Sequence, residues 1–261
     1  METIKLPRAA VAALVTLLAS CGGGGGYSSS NNPPPPMNAS PGGIWLGMES
    51  VSGLQVIGLV DEAGDFHFVR SDNVQYVGTA SVSVNSVTAN FDGYTQVGTT
   101  FPDGSTHGTG SVSGTVQARS SLTLMSQFRT DAGTASNGTL NLTFDVLYNR
   151  ASSLTTISGN FTNPQNGVVV TVNSNGSMFS QDPSSGCVLN GTVAIINATY
   201  NSYRVGFSYA SCTGQAAILN GLQFSGLGTL DNTVTPERAI VGVTAQSGST
   251  KYALVYTLNR S

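Results

Sequence analysis

The chain has 261 residues, of which 39% are hydrophobic and only 9% are charged, and its formal net charge is −3. This length allows one large β domain or two domains of roughly 100 residues, and the low charge, against about 25% in ordinary soluble domains, excludes a coiled coil and an acidic or basic tail. The ten lysines and arginines are too few and too scattered to form a phosphate-binding face, so we expect no nucleic-acid partner.

Residues 1–20 have the pattern of a secretory signal peptide. Lys5 and Arg8 form a short positive region, and residues 9–19 form an apolar stretch of the length found in signal peptides. That stretch is too short to span a bilayer, which takes roughly 20 apolar residues. We therefore expect a segment that directs export and is then removed.

The signal peptide runs into Leu18-Ala19-Ser20-Cys21, which resembles the bacterial lipobox. The resemblance implies cleavage before Cys21 and acylation of its sulfur, whereas ordinary signal cleavage would leave a free thiol. Gly22 at the next position, in place of an aspartate, resembles lipoproteins that are sent on to the outer membrane. Because two or three acyl chains anchor a protein stably, we expect the lipid bilayer of the outer membrane as a partner through Cys21, on either its periplasmic or its surface side.

Residues 21–42 form a predicted tether. A glycine run at 22–26, a Ser/Asn stretch at 28–32 and a proline run at 33–36 cannot bury apolar surface, so we expect disorder there. Glycine- and serine-rich chains are flexible coils and proline runs are stiffer spacers. The tether would hold the folded part away from the lipid surface.

From Gly43 onward, apolar and polar residues alternate with a period of two, and turn residues interrupt the alternation about every 8–12 positions. Gly, Ser, Thr and Asn stand where helical proteins have Glu and Lys, which also disfavours helices. The predicted strands are 44–49, 54–60, 65–70, 74–84, 86–92, 108–118, 122–129 and 139–148 in the first half, and 157–162, 168–172, 177–180, 187–196, 203–212, 222–230, 239–245 and 251–258 in the second.

The two halves of the chain resemble each other. The matching segments are Gly43-Ile44-Trp45 with Gly159-Asn160-Phe161, Gly64-Asp65-Phe66 with Gly176-Ser177-Met178, Gly78-Thr79 with Gly191-Thr192, Gly114-Thr115-Val116 with Gly228-Thr229-Leu230, and Asn149-Arg150 with Asn259-Arg260. Chance recurrence in a chain rich in Gly and Thr is the alternative to a duplication. A duplication predicts two tandem domains, at 43–150 and 151–261.

Eight strands per half predict an all-β fold of two tandem antiparallel up-and-down barrels, because closure removes exposed strand edges. Phe66 and Phe68 belong to the apolar, inward face of such a barrel, and Gln75 belongs to the polar face. A polar outer face argues against a membrane-spanning barrel. The bulky inward residues, such as those at 203–209, predict a filled interior, and two β-sandwiches or one open sheet remain alternatives to the barrels.

Gly43-x-Trp45 on the first strand, with Arg150 just after the last, resembles the signature of lipocalin-type (calycin) barrels. The resemblance implies that Trp45 closes one barrel end and that Arg150 packs across it. Phe161 and Arg260 would form the corresponding pair in the second barrel, with Phe in place of Trp. Eight-stranded barrels on a lipid-anchored linker also resemble the C-lobe-type domains of surface lipoproteins similar to transferrin-binding protein B.

Cys187 and Cys212 are predicted to form a disulfide, because the compartment beyond the inner membrane is oxidising. They stand at the outer ends of two strands that would pair as a hairpin. Closing a loop of about 25 residues should contribute roughly 3 kcal/mol. A redox function would call for Cys-x-x-Cys spacing, which this pair lacks.

The sequence predicts no catalytic residue, metal site or cofactor, and therefore no enzyme. His67 and His107 are the only histidines, and neither has ligands at zinc-site spacing. We expect His67 to face solvent and His107 to lie in the connection 99–108. No Gly-x-Ser-x-Gly motif occurs, and most carboxylates stand in turns.

These observations predict a non-catalytic lipoprotein of the cell envelope with a binding or scaffolding function. The loops at the barrel ends, at 99–108, 131–137 and 232–237, would bind a protein or glycan partner that the sequence does not identify. A lipocalin-like carrier of a small ligand is the alternative, followed by a protease inhibitor or a hydrolase.

Overall fold

The computed structural model describes residues 37–248 and 250–261, which form an almost entirely antiparallel β structure. The predicted signal peptide, Cys21 and the tether up to residue 36 lie outside the described residues. Within the described part of the chain, no helix is long and apolar enough to cross a membrane.

The first half forms a closed antiparallel barrel whose strands follow one another around the wall in chain order. Its strands are β1 (Gly43–Glu49), β2 (Gln55–Val60), β3 (Asp65–Arg70), β4 (Gln75–Thr79), β5 (Ser81–Ser83), β6 (Ser86–Tyr94), β7 (His107–Gln117), β8 (Ser121–Thr130) and β9 (Ala135–Asp145). Pairing of β1 with β9 and of β4 with β6 closes the barrel. Only Ala80 separates β4 from β5 and both pair with β6, so they form one interrupted strand and the barrel has eight.

The second half forms a second closed barrel with the same up-and-down order. Its strands are β10 (Gly159–Thr162), β11 (Val169–Val172), β12 (Ser177–Gln181), β13 (Val188–Ile195), β14 (Tyr203–Ala210), β15 (Gln223–Asp231), β16 (Arg238–Ser247) and β17 (Thr250–Arg260). Pairing of β10 with β17 closes it. The predicted fold class is confirmed, and the alternatives of two sandwiches or one open sheet are wrong.

The strand predicted at 139–148 begins four residues earlier, at Ala135, and short helical segments account for other differences from the predicted strands. The strand predicted at 139–148 ends at Asp145, because the Asp145 carboxylate accepts a hydrogen bond from the Leu147 amide and caps a 3-10 helix at Val146–Asn149. The strand predicted from residue 157 begins at Gly159, because helix α1 (Leu154–Ile157) precedes it. A second 3-10 helix, Gly214–Leu219, connects β14 to β15.

Each barrel encloses its own hydrophobic core, and a third apolar cluster lies between the barrels. The two cores include Trp45, Phe66, Phe91 and Leu124 in the first barrel and Phe161, Tyr203, Phe224 and Val243 in the second. The third cluster joins Ile44 and Leu59 of the first barrel to Leu227 of the second. Burial of apolar surface contributes about 25 cal/mol per Å² to folding and association. This cluster therefore stabilises the contact between the two barrels.

Polar side chains of the first barrel also face the second. Gln75 is fully buried, and its Nε2 donates hydrogen bonds to the carbonyl oxygens of Leu254 at 2.8 Å and Val243 at 3.3 Å. His67 is buried beside it. The prediction that both side chains face solvent is wrong, because the second barrel covers this part of the first barrel's outer face.

An ion pair at the edge of this contact joins Arg204 of β14 to two aspartates of the first barrel. Its Nη2 lies 3.3 Å from Asp61 Oδ2 and 3.2 Å from Asp65 Oδ2. Asp61 is buried, and burial raises the pKa of its carboxyl above the usual value. The Asp61 carboxylate also accepts hydrogen bonds from the amides of Ala63 and Asp65, as expected for an aspartate in a turn.

Residues 38–42, which the sequence assigns to the tether, lie against the first barrel. The Ala39 amide donates to the Val84 carbonyl at 2.6 Å, and the Ser40 hydroxyl donates to Glu62 at 2.5 Å. The Trp45 indole donates to the Pro41 carbonyl at 3.0 Å. The last residues of the predicted tether are therefore held by the barrel.

Candidate ligand-binding site

The interior of the first barrel is filled with aromatic side chains. The Tyr76 ring packs edge-on against Phe91 at 5.4 Å and Phe128 at 5.8 Å between ring centroids. Phe66 and Phe68 lie 5.2 Å apart in the same core. An internal void of only about 20 Å³ remains among these rings. For this barrel, the structure has the filled interior that the sequence predicts.

The second barrel contains a cavity of about 240 Å³. Its opening lies at one barrel end, where Asn163, Asp182 and Leu219 line it from the connections that follow β10, β12 and β14. Its walls are mainly apolar: they include Val170, Met178, Leu189, Val205, Phe207, Val241 and Leu258. The prediction of a filled interior is wrong for this barrel.

The cavity follows from a difference between the two repeats. The repeat aligns Met178 and Ser180 with Phe66 and Phe68 of the first barrel, so two aromatic rings are replaced by a thioether and a small hydroxyl side chain. The Ser180 hydroxyl donates to the Val169 carbonyl at 2.7 Å and leaves the space empty. This replacement is the signal in the sequence from which the cavity could have been predicted.

Two tyrosine hydroxyls meet inside the cavity. Tyr209 lies on β14 and Tyr256 on β17, and their hydroxyl oxygens are 2.7 Å apart. Burial raises the pKa of both phenols above 10, so both are neutral at neutral pH. Tyr203, Val205 and Phe207 are buried in the core, as the sequence predicts, whereas Tyr209 also lines the cavity.

The predicted disulfide between Cys187 and Cys212 is confirmed, and it lies at the cavity end of the barrel. It joins the residue before β13 to the chain just after β14, and Cys187 lines the cavity. Asp182, also at the opening, accepts hydrogen bonds from the hydroxyls of Ser184 and Ser185. These bonds hold the pKa of its carboxyl below the usual value, so the opening carries a negative charge.

Phe161 and Arg260 meet near the opposite end of the second barrel. The Arg260 guanidinium carbon lies 4.8 Å from the centre of the Phe161 ring. The guanidinium also donates to the carbonyls of Thr156 and Ser158 and forms an ion pair with Glu237 at 2.6 Å. Arg260 therefore covers the Phe161 ring at this end of the second barrel.

Trp45 is fully buried at the corresponding end of the first barrel, with the Phe144 ring packed edge-on at 5.6 Å. Arg150 is exposed, and the guanidinium over the aromatic rings of this end belongs to Arg119, which lies 4.9 Å from the Tyr148 ring. Because β9 ends in a 3-10 helix, Arg150 follows five residues after the strand, whereas Arg260 is the last residue of β17. No feature of the sequence predicts that Arg119, and not another arginine, lies over these rings.

Two of the three loops that the sequence predicts as binding loops meet at the other end of the first barrel. Phe101 and Asp103 from the connection 99–108 and Thr134 from the connection 131–137 line a cleft of about 420 Å³. Arg70 lies in the same cleft, paired with Glu49 at 2.7 Å. The third predicted loop, 232–237, belongs to the second barrel.

His107 is the first residue of β7 and not part of a loop. Its Nε2 lies 2.7 Å from Asp92, its Nδ1 lies 3.0 Å from Asp131, and its ring packs edge-on against Tyr94. The cluster links β6, β7 and the turn after β8. Among the residues that the structure describes, no group of three His, Cys, Asp or Glu side chains is placed to hold a metal ion.

A groove of about 610 Å³ follows the outer face of the first barrel across β6, β7 and β8. Polar side chains such as Asn90, Ser111 and Gln127 line it. It is an open surface depression, and the cavity of the second barrel is the better enclosed space for a small ligand.

No protein-family model matches the chain, and no curated protein matches it.

Proposed function

We propose that the chain is a lipid-anchored protein of the outer membrane with a non-catalytic binding function, and that its second barrel carries a small apolar ligand in the manner of a lipocalin. The cavity of about 240 Å³ in that barrel is the observation that carries the proposal. The first barrel has the same topology, but its interior void is only about 20 Å³ and its larger space is the cleft of about 420 Å³ at the barrel end, so an interior cavity does not follow from the topology alone.

The cavity has the chemistry of a small-molecule site. Such sites are concave and mostly apolar, with a few polar groups that orient the ligand. Here apolar walls surround a few polar groups, among them the Tyr209–Tyr256 hydroxyl pair, and the disulfide braces the strands beside the opening. The volume is small for a ligand pocket, which favours a compact ligand over a long acyl chain.

The anchoring proposal depends on the lipobox-like sequence that ends in Cys21. Replacing Cys21 with Ala should move the protein from the membrane fraction to the soluble fraction. Mass spectrometry of the mature N-terminal peptide should show the mass of the acyl chains in the wild type. A wild-type peptide without that added mass would contradict the anchoring, independently of ligand binding.

The ligand site is tested by filling the cavity. Met178→Trp places a large ring in the cavity, and Met125→Trp places the same ring on the outside of the first barrel, where Met125 is 61% exposed. In the full chain carrying Cys21→Ala, titration calorimetry with ethylbenzene should detect binding in the parent and in Met125→Trp, and none in Met178→Trp. Circular dichroism checks that all three proteins are folded.

Absence of ethylbenzene binding in the parent, or equal binding in Met178→Trp, would contradict the site. Native mass spectrometry of the parent should in addition detect a small molecule retained from the cell.

A second candidate function is binding of a protein or glycan at the cleft of the first barrel. The cleft of about 420 Å³ supports it, because its walls combine Phe101 with the Arg70–Glu49 ion pair. Aromatic rings beside charged groups can bind both kinds of partner. Binding of an oligosaccharide or envelope protein that Thr134→Trp abolishes and Met178→Trp leaves intact would favour this candidate.

A further inference from the structure

The Tyr209–Tyr256 pair holds more hydrogen-bond donors than it uses. Each hydroxyl has one proton to donate and can also accept. One hydroxyl donates to the other across 2.7 Å, and neither makes another hydrogen bond within the described residues. One of the two protons is therefore left without a protein acceptor.

The strand order places this free donor inside the barrel. β14 and β17 are separated by β15 and β16 around the barrel wall, so Tyr209 and Tyr256 reach each other across the interior. Their rings pack against Phe207 at 5.5 and 6.3 Å between centroids. Apolar contacts therefore hold both hydroxyls in position.

We infer that the pair donates its second proton to an oxygen of the ligand, so that the cavity selects a neutral molecule with an apolar body and one hydrogen-bond acceptor, such as a ketone, an ester or an alcohol. This inference rests on the proposed function of the cavity.

The rest of the lining supports the choice of a neutral ligand. The Ser180 and Ser185 hydroxyls already donate to the Val169 carbonyl and to Asp182. The described lining contains no lysine or arginine to pair with a carboxylate, and the Asp182 charge stands at the opening. Burial of an unpaired ionised group is costly, so an anion is disfavoured.

The test compares three probes of similar shape in the full chain carrying Cys21→Ala: acetophenone, ethylbenzene and benzoate. A single variant, Tyr209→Phe or Tyr256→Phe, keeps one hydroxyl whose proton is free to donate, and it should retain most of the affinity for acetophenone. The double variant should bind acetophenone roughly 3- to 10-fold more weakly and ethylbenzene unchanged. Benzoate should bind most weakly to every variant.

Tyr252→Phe is the matched control, since Tyr252 lies on β17 with Tyr256 but does not line the cavity. If ethylbenzene fails to bind the parent protein, the proposed function fails. If ethylbenzene binds and the double variant keeps the full acetophenone affinity, this inference is overturned and the cavity function stands. Should the double variant fail to fold, tighter binding of benzoate than of acetophenone to the parent would overturn the inference.

Discussion

His67 is an ionisable side chain buried in the region where the second barrel covers the first. Its imidazole is buried, and burial lowers its pKa from the ordinary 6.5 to about 4. Arg204 acts in the same direction, while a weak contact with Gln75 and the charge of Asp65 oppose it. The ring is therefore neutral in the folded protein at neutral pH.

This lowered pKa predicts an acid sensitivity. Between pH 6.5 and about 4 the unfolded chain binds a proton at His67 that the folded protein does not, so the free energy of unfolding falls as the pH drops through this window. Above pH 6.5 His67 is neutral in both the folded and the unfolded state and causes no loss of stability. At about pH 4 its protonation in the unfolded state has lowered the free energy of unfolding by about 3 kcal/mol.

Urea denaturation of the full chain at pH 7 and pH 4.5 measures this loss. The carboxylates titrate in the wild type and in His67→Gln alike, so the difference between the two proteins isolates the histidine. The wild type should lose more stability than the variant. An equal fall in the free energy of unfolding between pH 7 and pH 4.5 for the two proteins would show that the His67 pKa is not lowered.

At the scale of the strand, two glycines within strand interiors differ in how closely the neighbouring strand approaches them. Gly114 lies in β7, where an added Cβ would meet the Thr123 backbone oxygen and lie 2.9 Å from the Leu124 Cα of β8. Gly206 lies in β14, where the nearest atom to an added Cβ is the Phe224 backbone oxygen at 3.7 Å, an ordinary contact. Neither glycine has a positive φ. Close approach of β7 and β8 therefore accounts for Gly114, and no contact requires Gly206.

Replacing each glycine with Ala tests this difference. Gly114→Ala should destabilise the protein by about 1–3 kcal/mol, the typical cost of overpacking. Gly206→Ala should be neutral or should gain up to about 1 kcal/mol, because Ala loses less conformational freedom than Gly. Thermal unfolding should show a lower Tm only for Gly114→Ala. Equal effects of the two substitutions would refute the close approach of β7 and β8.

At the scale of the whole molecule, Gln75 connects the two barrels. Its side chain is fully buried and its Nε2 donates to two backbone carbonyls of the second barrel. Gly242 leaves room for this side chain, since a Cβ there would lie 3.0 Å from Gln75 Oε1. The Gln75 side chain therefore fills the space between the barrels, and its buried Nε2 has hydrogen-bond acceptors there.

Loss of this amide should weaken the association of the barrels. Gln75→Ala removes both hydrogen bonds and should lower the free energy of unfolding by about 1–3 kcal/mol. Gln117→Ala, at an exposed position of β7, is the matched control and should have little effect. Calorimetric scans of the full chain measure both, and an unchanged scan for Gln75→Ala would mean that the apolar cluster alone holds the barrels together.

The sequence by itself determined the all-β class, the up-and-down order of the strands and the tandem arrangement, though not every strand limit. Period-two alternation and the turn residues are local signals, and the repeat that pairs Trp45 with Phe161 marks the same position in both first strands. The pairing of Cys187 with Cys212 followed in the same way, because a hairpin of neighbouring strands places them opposite each other.

Only the tertiary structure decided what surrounds these elements. The outer faces that bear His67 and Gln75 are buried because another part of the chain covers them. Arg150 stands apart from the end of β9 because that strand stops at a capped 3-10 helix, and the guanidinium of Arg119 lies over the barrel end. The replacement of Phe66 and Phe68 by Met178 and Ser180 is visible in the sequence, but the size and lining of the cavity depend on how side chains from non-adjacent strands meet across the barrel. Alternation along a strand specifies which side a residue faces, whereas burial, pKa and free volume depend on residues distant in the sequence.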